Sequence, residues 1–513
     1  MSIASALERD FGTLADLIGR QAASRPDQAA LVQAERQVGY AELDRSMDRV
    51  AAALQRDGVR PGEAVAVCAA SSIEYALVFL GALRAGVAVA PLAPSSTVQQ
   101  LASMLADSDA KLVFVDAAGA DRIGPPTAGG VARVALDGSA AGAALAQWLA
   151  PAGARPAPVE VGPDWPFNII YSSGTTGAPK GIVQPHRMRW VQIQRGQAFG
   201  YGPEAVTLVS TPLYSNTTLV SLLPTVGLGG TAVLMDKFDA QRFLELAERH
   251  RATHAMLVPV QYQRLMAHPA FEHHDLSSFR MKFCTSAPFA AALKADVLAR
   301  WPGGLVEYYG MTEGGGTCML LAHERPDKLH TVGRPAEGHD IRLIDEAGRE
   351  VPAGQIGEVV GRSPAMMTGY FNQPAKTAEA EWHDAQGNRF IRTGDVGRFD
   401  DEGFLTLMDR KKDMIISGGF NVYPSDLEGV LAGHEAVLEA AVVGVPSERW
   451  GETPVAFVVL RQPGASDAAQ LLQWANAQLG ATQRLAAVEV VDSLPRSAIG
   501  KVLKRELRDR LTH

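Results

Sequence analysis

The chain has 513 residues, 47% of them hydrophobic and 20% charged, which is the composition of an ordinary globular protein. A chain of this length cannot fold around one hydrophobic core, so we expect about two to four domains or subdomains. The net charge of −8 is spread along the sequence. This argues against nucleic acid as a partner, because binding to a phosphate backbone needs a concentrated basic face.

Cysteine usage and hydropathy predict the cellular compartment. The three cysteines (Cys68, Cys284 and Cys318) lie far apart and in no metal-ligand spacing, which fits a reducing compartment and no disulfide scaffold. The N-terminal M-S-I-A-S-A-L-E-R-D lacks the basic and apolar regions of a signal peptide. The most apolar stretch, 75–91, is interrupted by Arg84 and is too short to span a bilayer. We expect a cytoplasmic protein without an integral membrane segment.

The first third of the chain predicts alternating helices and strands. Leu43, Met47, Val50 and Leu54 share one face of a helix that Gly58 would end. Apolar runs at 64–70, 87–92 and 111–116 predict strands, and the segments 73–85 and 97–107 between them predict helices. Short apolar strands separated by helices indicate a mostly parallel sheet covered on both faces. Residues 117–163, rich in Ala, Gly and Pro, predict an irregular connection.

The rest of the chain changes character twice. A strand at 167–171, a strand at 182–184 and a helix from about His186 lead into a second helix and strand series over 205–320. Residues 340–408 predict a strand-rich, barrel-like or antiparallel piece. Beyond residue 413 we expect a small α+β unit, with helices near 424–433 and 467–479. The charged run D-R-K-K-D (409–413) between these parts is either a hinge or a solvated turn.

The segment Y-S-S-G-T-T-G-A-P-K-G (171–181) predicts a phosphate-binding loop. It is not the common nucleotide-triphosphate loop, because Pro179 and Gly181 stand where a glycine and a metal-binding hydroxyl belong. Its backbone amides, its hydroxyls and Lys180 can converge on an anion. The alternative is a flexible surface hairpin.

Three further segments carry residue types that suit a nucleotide site. In E-Y-Y-G-M-T-E (307–313), Tyr309 could stack on a base, Thr312 could bond a phosphate and Glu313 could hold Mg²⁺. The alternative is a strand end followed by a helix-capping Thr–Glu. In R-T-G-D (392–395), Asp395 on a tight turn could accept both ribose hydroxyls, or only shape the turn. In L-P-R-S-A-I-G-K, Lys501 is either a cation delivered to a reaction centre or part of a solvated basic face.

The order of these motifs, with D-R-K-K-D-M-I-I-S-G-G-F-N-V-Y-P added, closely resembles the adenylate-forming superfamily of acyl-CoA synthetases, adenylation domains and luciferases. The resemblance runs from the N-terminal helices to Lys501 and is strongest to aryl- and acyl-CoA ligases. It implies an α/β fold: an N-terminal AMP-binding domain (1–409) of two α/β subdomains plus the strand-rich piece, and a mobile C-terminal lid domain (410–513).

The resemblance also implies the reaction. A carboxylate attacks the α-phosphorus of ATP, pyrophosphate leaves, and the thiol of CoA captures the acyl-adenylate. The cofactors would be ATP, Mg²⁺ and CoA, and the partners a small-molecule carboxylic acid, ATP and CoA. A homodimer stays open as the oligomeric state. The alternatives are transfer to a carrier-protein pantetheine, a hydrolytic ATPase that attacks the γ-phosphate, and a non-catalytic nucleotide-binding module.

Residues enter these roles by matching the superfamily motifs. The resemblance implies that Lys501, Thr312 and Glu313 are catalytic, with Glu313 also holding Mg²⁺, and that Lys412 is the hinge. The residues implied to bind ATP or AMP are Ser172, Ser173, Gly174, Thr175, Thr176, Gly177, Lys180, Ser286, Ala287, Pro288, Tyr309, Asp395 and Arg410.

The superfamily motifs for binding CoA and the acid are matched less completely in this chain. Gly418, Gly419, Trp450 and Arg484 are the implied CoA residues, although Trp450 could equally be a core tryptophan. The implied acid pocket contains Tyr214, Ser215, Gly314 and Gly315, where the glycines would leave space for an apolar aromatic or medium-chain acid. Ser215 replaces a histidine that many relatives carry, so the role of that histidine does not transfer.

Overall fold

The structure is a computed structural model that describes residues 3–125, 130–172, 180–410, 413–417, 420–447, 450–480, 483–497 and 500–511. The chain divides into two compact units, Met1–Asp340 with Gly361–Ile391, and Ile341–Val360 with Arg392–His513. In the described part of the chain, no helix is long and apolar enough to cross a membrane.

The α-helices of the described residues are numbered in chain order. They are α1 Ile3–Leu7, α2 Leu14–Ser24, α3 Tyr40–Arg56, α4 Ile73–Arg84, α5 Val98–Asp107, α6 Ala117–Ile123, α7 Leu145–Trp148, α8 His186–Gly196, α9 Asn216–Gly227, α10 Ala240–Arg249, α11 Pro259–Met266, α12 Ala291–Arg300, α13 Pro374–Glu379, α14 Pro424–Ala432, α15 Ala468–Gln478 and α16 Lys504–Leu511.

The strands are numbered in the same way. They are β1 Ala29–Gln33, β2 Arg36–Gly39, β3 Ala64–Cys68, β4 Ala88–Pro91, β5 Leu112–Val115, β6 Ala132–Ala135, β7 Ala143–Ala144, β8 Pro166–Ser172, β9 Lys180–Pro185, β10 Val206–Val209, β11 Thr231–Leu234, β12 His254–Leu257, β13 Met281–Cys284, β14 Gly304–Gly310, β15 Thr317–Leu321, β16 Arg334–Pro335, β17 Asp340–Ile344, β18 Gly357–Arg362, β19 Gly369–Tyr370, β20 Glu381–His383, β21 Arg389–Phe399, β22 Leu405–Arg410, β23 Ile415–Ser417, β24 Phe420–Val422, β25 Val437–Ser447, β26 Gly451–Leu460 and β27 Ala487–Val490.

Two large sheets form the N-terminal unit. One has the strand order β16-β15-β14-β13-β12-β10-β11-β1-β2, and the other has the order β19-β9-β8-β4-β3-β5-β6-β7. Strands β14 to β1 of the first order and β8 to β7 of the second are parallel, and the strands flanking them are antiparallel. The predicted mostly parallel α/β fold is confirmed.

Helix α3 shows why the sequence periodicity predicted these elements well. Leu43, Met47, Val50 and Leu54 are all buried on the face that packs into the main core. Gly58 follows the helix with a φ of +79°, a left-handed conformation that glycine adopts readily and that ends a helix. The amphipathic pattern and its glycine stop therefore predicted both the face and the end of the helix.

The prediction of an irregular connection over 117–163 is wrong. This segment contains α6, β6, β7 and α7, and β6 extends the second sheet by pairing with β5. Asp116 caps α6 by accepting the N–H of Gly119 at 2.6 Å. Trp148 packs edge-on against Phe114 with ring centres 5.1 Å apart. The strand is held by backbone hydrogen bonds to its neighbour, which a local composition rich in Ala and Gly does not indicate.

The two remaining sheets agree with the predicted change of character. Strands of the segment 340–408 form a sheet in the order β17-β18-β21-β20, with β22 also paired to β21. The last hundred residues form a sheet in the order β24-β23-β26-β25, with β27 beside β26. Leu427 of α14 and Leu471 of α15 pack with Val442 and Val458 in a core of its own. The predicted strand-rich piece and small α+β unit are both confirmed.

Replacing Leu43 by alanine tests the role of the buried face of α3. Leu43→Ala removes a side chain that is 0% exposed, so it should lower the free energy of unfolding by about 2–5 kcal/mol. The exposed residue Arg45 of the same helix provides the control, and Arg45→Ala should cost less than about 0.5 kcal/mol. Urea unfolding followed by tryptophan fluorescence measures both. Equal costs for the two variants would contradict the assigned face.

Candidate active site

The ends of the predicted phosphate loop are joined by a strand pair. Strands β8 and β9 are antiparallel, and Ser172 lies opposite Lys180 in their register. The pairing therefore brings the two ends of the loop together. Ser173, Gly174, Thr175, Thr176 and Gly177 lie outside the described residues, so their predicted role stays a prediction.

Tyr370 connects Lys180 to Glu313. The Lys180 Nζ lies 5.0 Å from the centre of the Tyr370 ring, and the Tyr370 hydroxyl donates to Glu313 Oε1 at 2.9 Å. Burial, and then the charge of Glu313, raise the pKa of Tyr370 above its ordinary value, so the phenol remains a donor. One side chain thus orients both the lysine and the carboxylate. Tyr370 was not predicted from the sequence, because it lies 57 residues from Glu313 in the chain.

No helix begins at Thr312, so the alternative of a helix cap at Thr312–Glu313 is wrong. The residues lie in the turn that joins β14 to the antiparallel β15. The carbonyl oxygen of Thr312 accepts a hydrogen bond of 2.6 Å from Gln184 Nε2 on β9. Gln184 of β9 therefore holds this turn at Thr312, and Tyr370 of β19 holds it at Glu313, so two strands fix both predicted catalytic residues.

A buried arginine holds Gln184 in place. Arg189, which is 1% exposed, donates to Asn168 Oδ1 at 3.1 Å, to Asn216 Oδ1 at 2.8 Å and to Gln184 Oε1. In the part of the chain that the structure describes, no carboxylate pairs with its guanidinium, and burial lowers the pKa of Arg189 to about 9. The amide oxygens of β8, β9 and α9 replace a counter-ion. This network was not predicted from the sequence either.

Two glycines after Glu313 are required by close packing. Gly314 has a φ of +73°, and a Cβ there would lie 2.0 Å from the carbonyl oxygen of Ala365. A Cβ on Gly315 would lie 2.6 Å from the Cβ of Ile391. The room that side chains would take at these positions is filled by protein. Whether the glycines also line an acid pocket stays a prediction.

The predicted adenine residues lie at the carboxyl ends of neighbouring parallel strands. In the pairing of β13 with β14, Cys284 at the end of β13 is opposite Glu307, and Ser286 and Tyr309 each follow two residues later in the chain. Ala287 and Pro288 follow Ser286 in the chain. Ligands of α/β sheets bind at this edge. Ser286 has a φ of +82°, a strained conformation for a residue with a side chain, and such strain is concentrated at functional sites.

Tyr214 and Ser215 lie at the start of α9. Ser215 is buried and caps the helix by accepting the N–H of Thr217 at 3.3 Å. The hydroxyl of Thr217 is 2.6 Å from that of Ser286, so the start of α9 adjoins the predicted adenine loop. Burial raises the pKa of Tyr214, which keeps its phenol protonated. The serine at 215 thus has a structural role as a helix cap.

The R-T-G-D segment is not the predicted tight turn. It lies inside β21, where Gly394 has a φ of +71° and the register shifts between Val396 and Gly397. Glycine in the left-handed region can place an irregularity within a strand, and the sequence pattern of such a bulge looks like that of a turn. Asp395 lies directly opposite Arg410 of β22. The predicted ribose pair is therefore made of neighbours across two strands.

Hydrogen bonds from Arg496 and Ser497 hold the backbone at Gly500 and Lys501. The N–H of Ser497 donates to the Lys501 carbonyl at 2.8 Å, and Gly500 has a φ of +78°. The Arg496 guanidinium donates to the Gly500 carbonyl at 2.7 Å and pairs with Glu439 at 2.7 Å. These bonds fix the backbone from which the lysine projects.

The remaining predicted residues of this unit are less informative. Lys412, Gly418 and Gly419 lie outside the described residues. Arg484 is exposed, in the connection between α15 and β27. Trp450 is 47% exposed, so the alternative that it is a core tryptophan is wrong.

The chemistry of Glu313 fits a magnesium ion held chiefly by substrate. Over the described residues, no group of three or more His, Cys, Asp or Glu side chains could hold a metal. Tyr370 occupies one oxygen of Glu313. Mg²⁺ commonly binds through one or two carboxylates together with phosphate oxygens and water, so a single carboxylate beside the predicted phosphate loop would suffice.

This fold, with nucleotide-binding residue types at the ends of its parallel strands, defines an adenylate-forming enzyme. The AMP-binding enzyme family matches residues 18–371, and the AMP-binding enzyme C-terminal domain matches residues 426–501. The chain therefore belongs to the AMP-binding enzyme family.

Individual relatives cover nearly the whole chain. A feruloyl-CoA synthase of Amycolatopsis sp is 35% identical over 502 residues, covering 96% of this chain and 97% of that protein. A fatty acid–[acyl-carrier-protein] ligase of Streptomyces coeruleorubidus is 33% identical, covering 97% and 96%. The crystal structure of ATP-bound MatB from Rhodopseudomonas palustris is 31% identical and has a TM-score of 0.85, covering 97% and 98%.

The resemblance drawn from the motifs is thereby confirmed. The chain is an AMP-forming acid–thiol ligase, an enzyme that activates a carboxylic acid with ATP and transfers the acyl group to a thiol.

Replacing Tyr370 by phenylalanine tests its link to Glu313. Tyr370→Phe keeps the ring beside Lys180 but removes the hydroxyl from Glu313, so kcat/KM for ATP should fall roughly tenfold, about 1–1.5 kcal/mol. The measurement is acid-dependent pyrophosphate release at varied ATP and Mg²⁺.

The control for this variant is Tyr40→Phe. It removes a buried hydroxyl that donates to the carbonyl oxygens of Val226 and Gly230, which is a comparable loss elsewhere in the unit. It should change stability and leave kcat/KM within about twofold. If both variants behaved alike, Tyr370 would have no specific role in the site.

Proposed function

We propose that this ligase activates an aromatic carboxylic acid in the cytoplasm, with Mg²⁺, and joins it to CoA. The observation that carries the proposal is the convergence of Lys180, Tyr370 and Glu313, the last of which closely follows β14, the strand that bears Tyr309. The aromatic acid is supported by a feruloyl-CoA synthase among the relatives. The proposed location in the cytoplasm is supported by the three cysteines, which are buried and form no disulfide.

The first half-reaction brings anions together. The carboxylate oxygen of the acid forms a bond to the α-phosphorus of ATP, the bond from that phosphorus to the β-phosphate oxygen breaks, and pyrophosphate leaves. Lys180, with the loop 172–177, would hold the leaving phosphates, and Glu313 would hold Mg²⁺, which neutralises phosphate charge when bound. Asp395 and Arg410 would hold the ribose, Thr312 a phosphate, and Ser286, Ala287, Pro288 and Tyr309 the adenine.

Lys501 would supply the remaining positive charge between the carboxylate and the α-phosphate. A preorganised cation at a developing negative charge is worth about 3–4 kcal/mol, or about 10²–10³ in rate. The hydrogen bonds of Ser497 to Lys501 and of Arg496 to Gly500 support this role, because a fixed backbone at the lysine limits the positions of its ammonium group.

In the second half-reaction the thiolate of CoA attacks the acyl carbon and AMP leaves. We assign Gly418, Gly419, Trp450 and Arg484 to CoA and propose that residues 410–513 rotate as a domain about Lys412 between the two steps. Trp450 and Arg484 are both exposed, which suits contact with the nucleotide part of CoA better than a structural role in the core. Tyr214, Ser215, Gly314 and Gly315 remain the proposed acid pocket.

A carrier-protein pantetheine is the second candidate acceptor. The carrier-protein ligase of Streptomyces coeruleorubidus, 33% identical to this chain, favours it. Mass analysis of the thioester formed with CoA or with an acyl carrier protein separates the two, and we expect CoA to be the better acceptor.

Removal of the Lys501 ammonium tests the proposed chemistry. Wild-type protein should catalyse ATP–pyrophosphate exchange that depends on the acid across a panel of benzoates, cinnamates and fatty acids. Lys501→Ala should lower this exchange by about 10²–10³ and leave ATP binding within a few fold, because the lysine acts on the transferring phosphorus. Calorimetric titration with ATP measures the binding.

Lys504→Ala provides the matched control. Lys504 is also a lysine of the C-terminal unit, but it pairs with Glu428 at 2.8 Å. Loss of the Lys504 side chain should change the rate of ATP–pyrophosphate exchange by no more than about threefold, because a single ion pair near the surface contributes little. Release of ADP in place of AMP, or full exchange without Lys501, would refute the proposed reaction.

A further inference from the structure

A buried ion pair joins helix α12 to strand β14. The ammonium group of Lys294, on α12, pairs with the carboxylate of Glu307, on β14, and the two residues are 1% and 4% exposed. Lys294 also donates to the carbonyl oxygens of Leu329 at 2.8 Å and Thr331 at 3.1 Å. Removing two charges from water is costly, and such a pair is stable only where its partners are held in good geometry. The pair therefore sets the position of the helix relative to the strand.

Glu307 lies two residues before Tyr309, the proposed adenine-stacking residue. Side chains of a strand alternate between its two faces, and β14 pairs with β15 without a register shift from Val306 to Gly310. Val306 is buried in the main core and Tyr308 packs against the same core, so Glu307 and Tyr309 lie on the opposite face. The ion pair therefore holds β14 on the face that presents Tyr309.

The same helix continues the predicted adenine loop. Helix α12 begins shortly after Pro288, the last residue of that loop. The Lys294 Nζ lies 5.8 Å from the centre of the Phe289 ring. That ring stacks on Tyr262 with centres 5.0 Å apart, which fixes the chain where the loop ends. One lysine therefore contacts both the end of the loop and the strand that presents Tyr309.

The loop between β13 and α12 needs support because its backbone is strained. Ser286 has a φ of +82°, and a residue with a side chain keeps such a conformation only where the surrounding structure holds it. The hydroxyl of Thr217 lies 2.6 Å from that of Ser286 and holds the loop at this point. The pair of Lys294 and Glu307 holds the helix into which the loop leads.

We propose that Lys294 and Glu307 are positioning residues for the nucleotide. Their ion pair sets the separation between the loop 286–288 and Tyr309, the two walls between which the adenine ring of ATP binds. Both residues are buried, so they act through the loop and the strand and not by contact with ATP. This inference rests on the proposed function and adds two residues to its nucleotide site.

Glu307→Gln tests the proposal with little change in shape. The variant removes the charge that pairs with Lys294, so the loop and Tyr309 lose their fixed separation. The adenine ring does not react, and weaker contacts to it should therefore raise KM for ATP about tenfold while kcat and KM for the acid stay within about twofold. Acid-dependent pyrophosphate release at varied ATP measures these constants. Burial raises the pKa of Glu307 to about 7, so the assays are made at about pH 8, where the wild-type carboxyl group is mainly ionised.

Removal of the other charge tests whether the two residues act as a unit. Lys294→Met should also raise KM for ATP. The double variant Lys294→Met/Glu307→Gln should raise it no more than the larger single effect, because both changes remove the same interaction. Glu307→Gln, the milder change, carries the test if Lys294→Met does not fold.

Lys282→Met provides the matched control. Lys282 is 0% exposed and donates to the carbonyl oxygens of Trp301, Pro302 and Gly303, just beyond the C-terminal end of α12. Its replacement also removes a buried ammonium group that holds this helix, so it should lower the denaturant midpoint of unfolding. It should leave KM for ATP within about twofold, because the end of the helix nearest the loop is unchanged.

The outcomes are distinct. If Glu307→Gln lowers stability or kcat without raising KM for ATP, the pair is only structural and the proposal is wrong. The same conclusion follows if Lys282→Met raises KM for ATP as much as Glu307→Gln does. Calorimetric titration with ATP measures binding without turnover. Failure of every acid to release pyrophosphate therefore refutes the proposed function, whereas unchanged ATP binding by Glu307→Gln refutes this inference alone.

Discussion

The buried guanidinium of Arg189 is the interaction on which the arrangement of the N-terminal site depends. It gathers amide oxygens from β8, β9 and α9 and holds Gln184 so that its amide reaches the carbonyl of Thr312. A buried cation without a carboxylate partner is stable only while those oxygens remain in place. Three elements are thus locked together directly behind the turn that carries Thr312 and Glu313.

The reaction imposes an electrostatic constraint on the site that this network supports. An acid and a polyphosphate repel each other, and the reaction proceeds only where positive charge and oriented donors offset that repulsion. In the N-terminal unit, Tyr370 contacts both Lys180 and Glu313, so one side chain positions a cation and the proposed metal ligand. In the C-terminal unit, Arg496 holds the carbonyl of Gly500, the residue before Lys501. Within each unit, local contacts position the charged groups that the proposed reaction needs.

Much of the fold could be predicted because its elements follow simple periodicity. The buried face of α3 and the continuous apolar strands β3 to β5 are visible in a few consecutive residues. Strand β6 could not be predicted from its sequence, since its pairing with β5 is made by backbone groups that every residue carries. The left-handed Gly394 inside β21 looked like a turn for a similar reason: local sequence shows the bend but not the strand that continues past it.

The site was predictable only where function concentrates small, polar or charged residues in one motif. Tyr370, Gln184 and Arg189 were missed because each acts through a residue distant in the chain. Arginine and glutamine are also ordinarily exposed, so nothing local indicates that Arg189 and Gln184 are buried. The same holds for Lys294 and Glu307, which lie on a helix and a strand and meet only in the folded chain. Long-range polar contacts leave no periodic trace in a single sequence.

The most direct test of this account is the near-isosteric change Gln184→Glu. The new carboxylate can still accept from Arg189 and Asn168, so the fold should persist, but the donor to the Thr312 carbonyl becomes a repelling oxygen. We expect unfolding at the wild-type denaturant concentration or above it, together with acid-dependent ATP–pyrophosphate exchange lowered by at least about tenfold. A stable Gln184→Glu protein with wild-type exchange would contradict it, because the position of Thr312 and Glu313 would then not depend on the buried network.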